Sequence, residues 1–298
     1  MPLSRRQFLA RTSVAAAGLP LAAPALRAAV RPARRAEFTP IRRGVGFFSG
    51  RGGTIGYLQT PDALVAVDAQ FPESAEAFLA GLRDGSARGL DLLVNTHHHG
   101  DHTAGNAVLA PVADAHVAHE AVPGLQRAAA VQQGTYDAQR YPSETYARTW
   151  SAEVGGEVVA LRYLGPAHTC GDSVVHFERA DVVHMGDLVF NRRQPFIDAG
   201  AGASVPGWIG VLEATHGAFS DDTVFIFGHA GEGHPVTGGR AELLVMRDFL
   251  GAAREAVAEG LAAGRSAEQI VGAEVPGFEA WGPMPARVVD PIAAELAP

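Results

Sequence analysis

Thr96-His97-His98-His99-Gly100-Asp101-His102 brings four candidate metal ligands, His97, His99, Asp101 and His102, into six residues. Imidazole nitrogen and carboxylate oxygen are the donors that hold zinc and similar divalent ions. Immediately upstream, Leu90-Asp91-Leu92-Leu93-Val94-Asn95 is a short apolar run that reads as a buried strand. A rigid strand end feeding a His/Asp-rich loop suits a metal site, because the loop can curl its donors inward. A solvated His-rich turn or a tag-like tract is the alternative. A tag would stand at a terminus, and this tract stands in mid-chain behind a strand.

The spacing His97-x-His99-x-Asp101-His102 resembles the signature of the metallo-β-lactamase-fold hydrolases. That family adds a His, a bridging Asp and a final His, each at the end of a later strand. His168 in Gly165-Pro166-Ala167-His168-Thr169, Asp187 in His184-Met185-Gly186-Asp187-Leu188 and His229 in Phe225-Ile226-Phe227-Gly228-His229 follow in that order. The resemblance runs roughly from Val45 to His234. It implies an α/β fold, an αββα sandwich of two mixed β-sheets flanked by helices. It also implies two divalent metal ions, zinc first, with iron and manganese as alternatives. His97, His99 and His168 would hold one ion, Asp101, His102 and His229 the other, and Asp187 would bridge them. The implied activity is hydrolysis of a small-molecule ester, thioester or lactone by a hydroxide shared between the metals, with Asp101 as the catalytic residue orienting it. Metal binding lowers the pKa of water from about 15.7 toward about 7, so neither Ser nor Cys is needed as nucleophile.

Asp187 also separates branches of that family. The antibiotic-degrading β-lactamases typically lack a bridging Asp or carry Cys there, so Asp187 resembles the glyoxalase II and lactonase branches. A class B-type β-lactamase, or a non-hydrolytic iron-binding redox protein on the same fold, is the competing reading. Two departures weaken a strict glyoxalase II assignment. Ala167 stands where the family usually has Gly, and the chain after Arg240 offers few Arg for an anionic tail.

The chain has 298 residues, 47% hydrophobic and 19% charged, which is enough to bury a full core. All 24 basic residues are Arg, so Lys nucleophiles and Schiff bases are excluded. Ser4-Arg5-Arg6-Gln7-Phe8-Leu9, followed by the Ala-rich stretch from Thr12 to Ala25, resembles a twin-arginine export signal over residues 1–29. The apolar stretch is too short and too rich in Ala and Pro to span a membrane well, so stable insertion after cleavage is not expected. Export machinery is therefore an expected partner, and the periplasm or the exterior the expected location. Cutting after Ala25 removes Arg5, Arg6 and Arg11 and no acid, which shifts the formal charge from −8 to −11. Nucleic acid is not an expected partner for so acidic a chain. Cys170 is the sole cysteine, so no intrachain disulfide can form.

Residues 30–43 read as an Arg/Pro-rich linker and 44–298 as one metallohydrolase domain. Within it, Val45–Phe48, Thr54–Gln59, Ala63–Val67, Glu157–Leu164, Ser173–Phe177, Asp181–Met185 and Thr223–Phe227 read as strands. Glu73–Leu82, Thr103–Leu109, Ala118–Gln133, Trp208–Phe219 and Arg240–Gly260 read as helices, with a further short one from Ser266. Tyr136–Trp150 shows no period. His168 could be a core histidine, but Pro166 and Gly171 put it on a loop. Asp187 could cap the segment after it, yet it stands at a strand end. His229 has only small neighbours, Gly228, Ala230 and Gly231. His98 is expected not to ligate, His176 and His184 to be structural, and His116, His119 and His216 to be surface or supporting residues. His234 could touch substrate, and Asn191, Arg192 and Arg193 could bind an anion or be a solvated loop. Cys170 could be a reactive thiol, although a small packed residue fits better.

Overall fold

The computed structural model describes residues 37–84 and 87–297. The export signal assigned to 1–29 and the start of the linker lie outside the described residues. Strands β1 (Glu37–Arg42), β2 (Val45–Ser49), β3 (Ile55–Gln59) and β4 (Leu64–Val67) form an antiparallel meander. Helix α1 (Pro72–Arg83) crosses over to β5 (Leu90–Val94), which lies parallel to β4. Short helices α2 (Gly100–Thr103) and α3 (Asn106–Leu109), strand β6 (Ala113–His119), helix α4 (Val122–Gln133) and strand β7 (Glu144–Tyr146) follow, completing a first sheet ordered β1 to β7.

The second sheet begins with the meander β8 (Thr149–Val154), β9 (Glu157–Arg162), β10 (Val174–Phe177) and β11 (Val182–His184). After β12 (Phe190–Asn191) and helix α5 (Val205–Ala218), β13 (Val224–Ile226) pairs parallel with β11. Then come β14 (His229–Ala230), paired with β12, and β15 (Thr237–Gly238), which closes the far edge. Helices α6 (Ala241–Ala262), α7 (Ala267–Ile270) and α8 (Ala286–Leu296) end the chain.

Period-2 alternation stacks these pieces into four layers. In β4, Val65 and Val67 join the core between the sheets, whereas Leu64 and Ala66 face Phe78 and Leu82 of α1. In the second sheet, Val175, Val182 and Ile226 face the central core, while Val174, Val183 and Phe225 face Trp208 of α5 and Phe249 of α6. A strand buried on both faces must be apolar at every position, hence the unbroken runs LVAV and VVH-type segments. Each Val or Leu so buried stabilises the fold by about 1.5–3 kcal/mol. This is the expected αββα sandwich.

Four local expectations change. Glu37–Arg42, read as the end of the linker, is a strand that pairs antiparallel with β2, with a register shift between Pro40 and Arg42. Ala118 and His119 belong to β6 rather than to a helix, and α4 starts at Val122 with Pro123 in its first turn. The Thr103–Leu109 helix is two short turns, α2 and α3, meeting at Gly105, whose amide bonds Gln70 O. The aperiodic Tyr136–Trp150 stretch contains β7 and the start of β8. Helix α8 escaped the sequence reading; Pro291 within it is a strong breaker signal.

Candidate metal centre

Parallel register sets the height of the site. Val67 pairs with Val94, and Asp68 N donates to Val94 O at 2.7 Å, so Asp68 emerges beside Thr96 and the histidine loop. Across the sandwich His184 pairs with Ile226, which brings Asp187 and His229 out side by side. Backbone bonds lock the two sheet ends together: Thr54 N to Gly228 O at 2.9 Å and Ser173 N to Thr96 O at 2.8 Å.

The seven residues singled out from the sequence converge here. Ligand-type atoms of His97, His99, His168 and Asp187 lie within 4.8 Å of one another, and so do those of Asp101, His102 and His229. His99 Nδ1 is 3.1 Å from His97 Nε2 and 3.0 Å from His168 Nε2. Asp187 lies between the groups. Its Oδ2 is 3.8 Å from His97 Nε2, 3.7 Å from His168 Nε2 and 3.4 Å from His229 Nε2, while its Oδ1 is 3.0 Å from His102 Nε2. His229 Nε2 is also 3.1 Å from Asp101 Oδ2.

The outer nitrogens of the rings fix which inner nitrogen is bare. His168 Nδ1–H donates to Phe196 O at 2.8 Å, His99 Nε2–H to Asp198 Oδ2 at 2.8 Å, and His102 Nδ1–H to Asp68 Oδ2 at 2.7 Å. His97 Nδ1–H donates to Thr96 Oγ1 at 3.0 Å, and the Thr96 hydroxyl donates on to Asp68 Oδ2 at 2.8 Å. His97, His99 and His168 therefore turn an unprotonated nitrogen inward, the arrangement that supporting acceptors impose on metal-binding histidines, whereas His102 turns Nε2 toward Asp187 Oδ1 at 3.0 Å. Three lone pairs crowded within about 3 Å repel unless a proton or a cation sits among them.

Charge follows the same division. Burial and the charge of His102 hold His97 well below its ordinary value, and burial takes His168 to about 3. Burial also opposes protonation of His102 and His229, but the Asp187 carboxylate outweighs it, leaving His102 well above the usual range and His229 at about 9. Burial would raise Asp101 and Asp187; His102 and His229 overcome it, taking Asp101 to about 2 and holding Asp187 well below the ordinary carboxylate range. Asp187 Oδ1 is buried yet accepts no well-directed hydrogen bond. His/Asp clusters with inward lone pairs and ionised, under-used carboxylates are suited to divalent cations.

Two glycines make room for this packing. A Cβ on Gly228 would collide with Asp187 Oδ1, and one on Gly53 would run into the His102 ring. Only glycine permits so close an approach.

The remaining histidines sort by what they touch. His98 is buried 3.5 Å from Asp198 Oδ2, which also holds His99. His116, expected at the surface or in a supporting role, is buried and donates to Asn95 Oδ1 at 2.7 Å; His119 bonds Ala147 O at 3.1 Å. His184 is structural, bonding Thr54 O at 3.1 Å across the sheets. Cys170 is half-buried, and burial with the Asp172 charge pushes its thiol above the ordinary value, away from the reactive thiolate.

Sequence reasoning missed the supporting acceptors. Asp68 stands at a strand end, the same signal that marked Asp187, and could have been found. Asp198 and the Phe196 carbonyl lie in a loop with no such signal.

The centre floors a cleft of about 370 Å³, walled by Phe190, Phe196, Arg193 and Arg287 as well as by the ligand-type residues. A neighbouring cleft of about 490 Å³ shares Arg193, Gln194 and Arg287 with it and adds His234 and Trp281.

A sequence profile of the Metallo-beta-lactamase superfamily matches residues 49–240, and the chain belongs to that superfamily. It is 32% identical over 140 residues to the 2,4-dinitroanisole O-demethylase subunit alpha of Nocardioides sp.; that stretch is 45% of this chain and 40% of the demethylase subunit. Among solved structures, a metallo-β-lactamase from Pontibacter korlensis shares 19% identity at a TM-score of 0.61, over 73% of this chain and 99% of that one. A stereoselective inverting sec-alkylsulfatase from Pseudomonas sp. shares 14% identity at a TM-score of 0.66, over 88% of this chain and 50% of that one. At these identities the structural likeness shows the fold.

Proposed function

We propose that the protein is a dinuclear metal-dependent hydrolase of a small ester, thioester or lactone. The observation that carries this reading is Asp187, whose carboxylate lies within 3.8 Å of histidines from both groups. His97, His99 and His168 would hold one divalent cation, Asp101, His102 and His229 a second, and Asp187 would serve both. Zinc suits this donor set, and iron and manganese suit it as well. Such ions, when bound, supply Lewis acidity that acidifies water and polarises a carbonyl oxygen.

The chain's own groups do the positioning. Asp101, ionised and about one-third exposed toward the cleft, accepts a hydrogen bond from the attacking water and aims it at the acyl carbon. Asp68, Asp198 and Phe196 O hold three rings at fixed angles, so little reorganisation accompanies reaction. Phe190 and Phe196 line the approach and thin the water around the scissile bond. Water adds to the acyl carbon, the acyl–oxygen or acyl–sulfur bond breaks, and an acid and an alcohol or thiol leave.

Hydrolysis by the metal-loaded chain across an ester, lactone, thioester and β-lactam panel tests the reading, with EDTA-treated protein beside each substrate. The similar proteins are named for an O-demethylase, an alkylsulfatase and a β-lactamase, so an aryl methyl ether and an alkyl sulfate join the panel. Chelator-sensitive turnover of an acyl substrate is the expected result. Turnover that survives chelation would sink the proposal.

We also infer export, supported by Ser4-Arg5-Arg6-Gln7-Phe8-Leu9 and the Ala-rich stretch behind it. Fractionating cells that express the full chain should find it outside the cytoplasm, and Arg5→Lys with Arg6→Lys should retain it inside.

A further inference from the structure

The segment Asp68-Ala69-Gln70, at the end of β4, turns through the left-handed region twice: φ is 69° at Asp68 and 53° at Gln70. Asp tolerates that region, whereas Gln seldom adopts it and glycine would occupy it without strain. Gln70 is also almost fully buried, at 1% exposed. A buried polar residue persists in a strained conformation where its side chain does something glycine cannot.

What the segment grips is α2, the helix that carries Asp101 and His102. His102 Nδ1–H donates to Asp68 Oδ2 at 2.7 Å, Ala69 N donates to His102 O at 2.8 Å, and Gly105 N donates to Gln70 O at 2.7 Å. The Gln70 side chain reaches back to the start of the same helix. Its Nε2–H donates to Gly53 O, and Gly53 N donates to Asp101 O at 3.0 Å. The turn between β2 and β3 wraps closely around this side chain. A Cβ on Gly50 would strike Gln70 Oε1, and one on Gly52 would lie 2.7 Å from Asp101 O and 3.3 Å from Gln70 Cβ. Ser74 Oγ, in the first turn of α1, pins the turn by accepting from Arg51 N at 2.9 Å.

Helix α2 needs such support. It is four residues long, and His99 at its N-cap supplies no side-chain hydrogen bond. Isolated helices shorter than about 12 residues are marginal. The rings of His97 and His168, by contrast, are held by Thr96 and by Phe196 O, through bonds that do not involve Gln70.

We infer that Gln70 is a positioning residue for the Asp101/His102 half of the metal centre. Its carbonyl holds one end of α2 and its side chain, through Gly53, holds the other. It therefore sets how tightly Asp101, His102 and His229 take their cation, and leaves the His97, His99 and His168 half unaffected. The inference rests on the dinuclear reading for the cation, and on the hydrogen bonds alone for the clamp.

Two variants separate the clamp from packing. Gln70→Met keeps the bulk and removes the donor, while Gln70→Gly removes the side chain and relieves the backbone. Cobalt(II) is added stepwise to the metal-free full chain and to each variant against a competing chelator, with Tm checking that each is folded. One of the two dissociation constants should rise about 10–100-fold and the other stay within about threefold. The step that moves should be the one that Asp101→Asn also weakens. Equal weakening of both steps, or of neither, would make Gln70 a packing residue and overturn the inference. Amide exchange in the metal-free chain reads the clamp directly. The amides of His102 to Gly105 should exchange about tenfold faster in Gln70→Met, with those of β5 and β10 unchanged. Unchanged exchange at α2 would overturn the clamp. A full chain that binds a single cobalt, with the exchange effect intact, would leave the clamp standing and remove the dinuclear reading.

Discussion

The floor and the rim of the same cleft are built on opposite terms. On the floor, His97, His102 and His168 are buried, and each ring is held on its outer side by Thr96, Asp68 or Phe196 O. On the rim, Arg193, Phe196 and Arg287 are exposed, and the two arginines leave most of their donors unused. A buried floor fixes atoms before substrate arrives, as bond-breaking chemistry requires. An exposed rim with spare hydrogen-bonding capacity can be altered without unfolding the protein, as substrate choice requires. In the loop from Asp187 to Asp198 a floor residue, Asp187, and two rim residues, Arg193 and Phe196, stand only a few positions apart.

Breaking the floor should have the largest effect. Asp187→Ala removes the one carboxylate common to both histidine groups. It should lower kcat/KM on the order of a thousandfold and leave fewer metals bound, read by steady-state kinetics and metal analysis.

Acid should reveal the next effect, beneath the floor. His116 donates to Asn95 Oδ1, while its Nδ1 is buried without a partner, and burial holds its pKa at about 4. The folded value lies below the unfolded one of about 6.5, so the unfolded chain takes up the proton first. The contribution of neutral His116 is complete above about pH 6.5 and is lost as pH falls through about 4. It amounts to something on the order of 3 kcal/mol. Chemical denaturation of the full chain and of His116→Gln between pH 7 and pH 4 should show a steeper acid loss in the former. Parallel curves would remove His116 from the account.

Supporting residues come third. Asp68 sits in the left-handed region at φ 69°, where Asp and Asn are tolerated. Asp68→Asn keeps that backbone while removing the acceptor charge behind His102, and should weaken metal affinity about 10–100-fold in a chelator competition. The rim should respond least to apolar trimming. Phe196 is 39% exposed and its ring lies 5.3 Å from that of His99, so Phe196→Ala should raise KM only a few-fold, about 1 kcal/mol. An effect on kcat as large as that of Asp68→Asn would erase the distinction between floor and rim.

The sequence by itself determined the ligand-type residues and the layered architecture. His97, His99, Asp101 and His102 fall within six residues, and the sandwich followed from the family resemblance, with which unbroken apolar runs such as LVAV agree. His168, Asp187 and His229 were legible because each follows an apolar strand, and a strand end has a defined direction. Tertiary structure alone decided what surrounds them. Asp198 reaches His99 across 99 positions, and Arg287 reaches Arg193 from a helix whose internal Pro291 hides it. Such contacts depend on how separate elements pack, and packing leaves no periodic trace in the chain. The seven inward-facing residues are therefore written along the sequence, as are Thr96 beside His97 and Asp68 at its strand end, while Asp198, the Phe196 carbonyl and the rim are brought to them only by the fold.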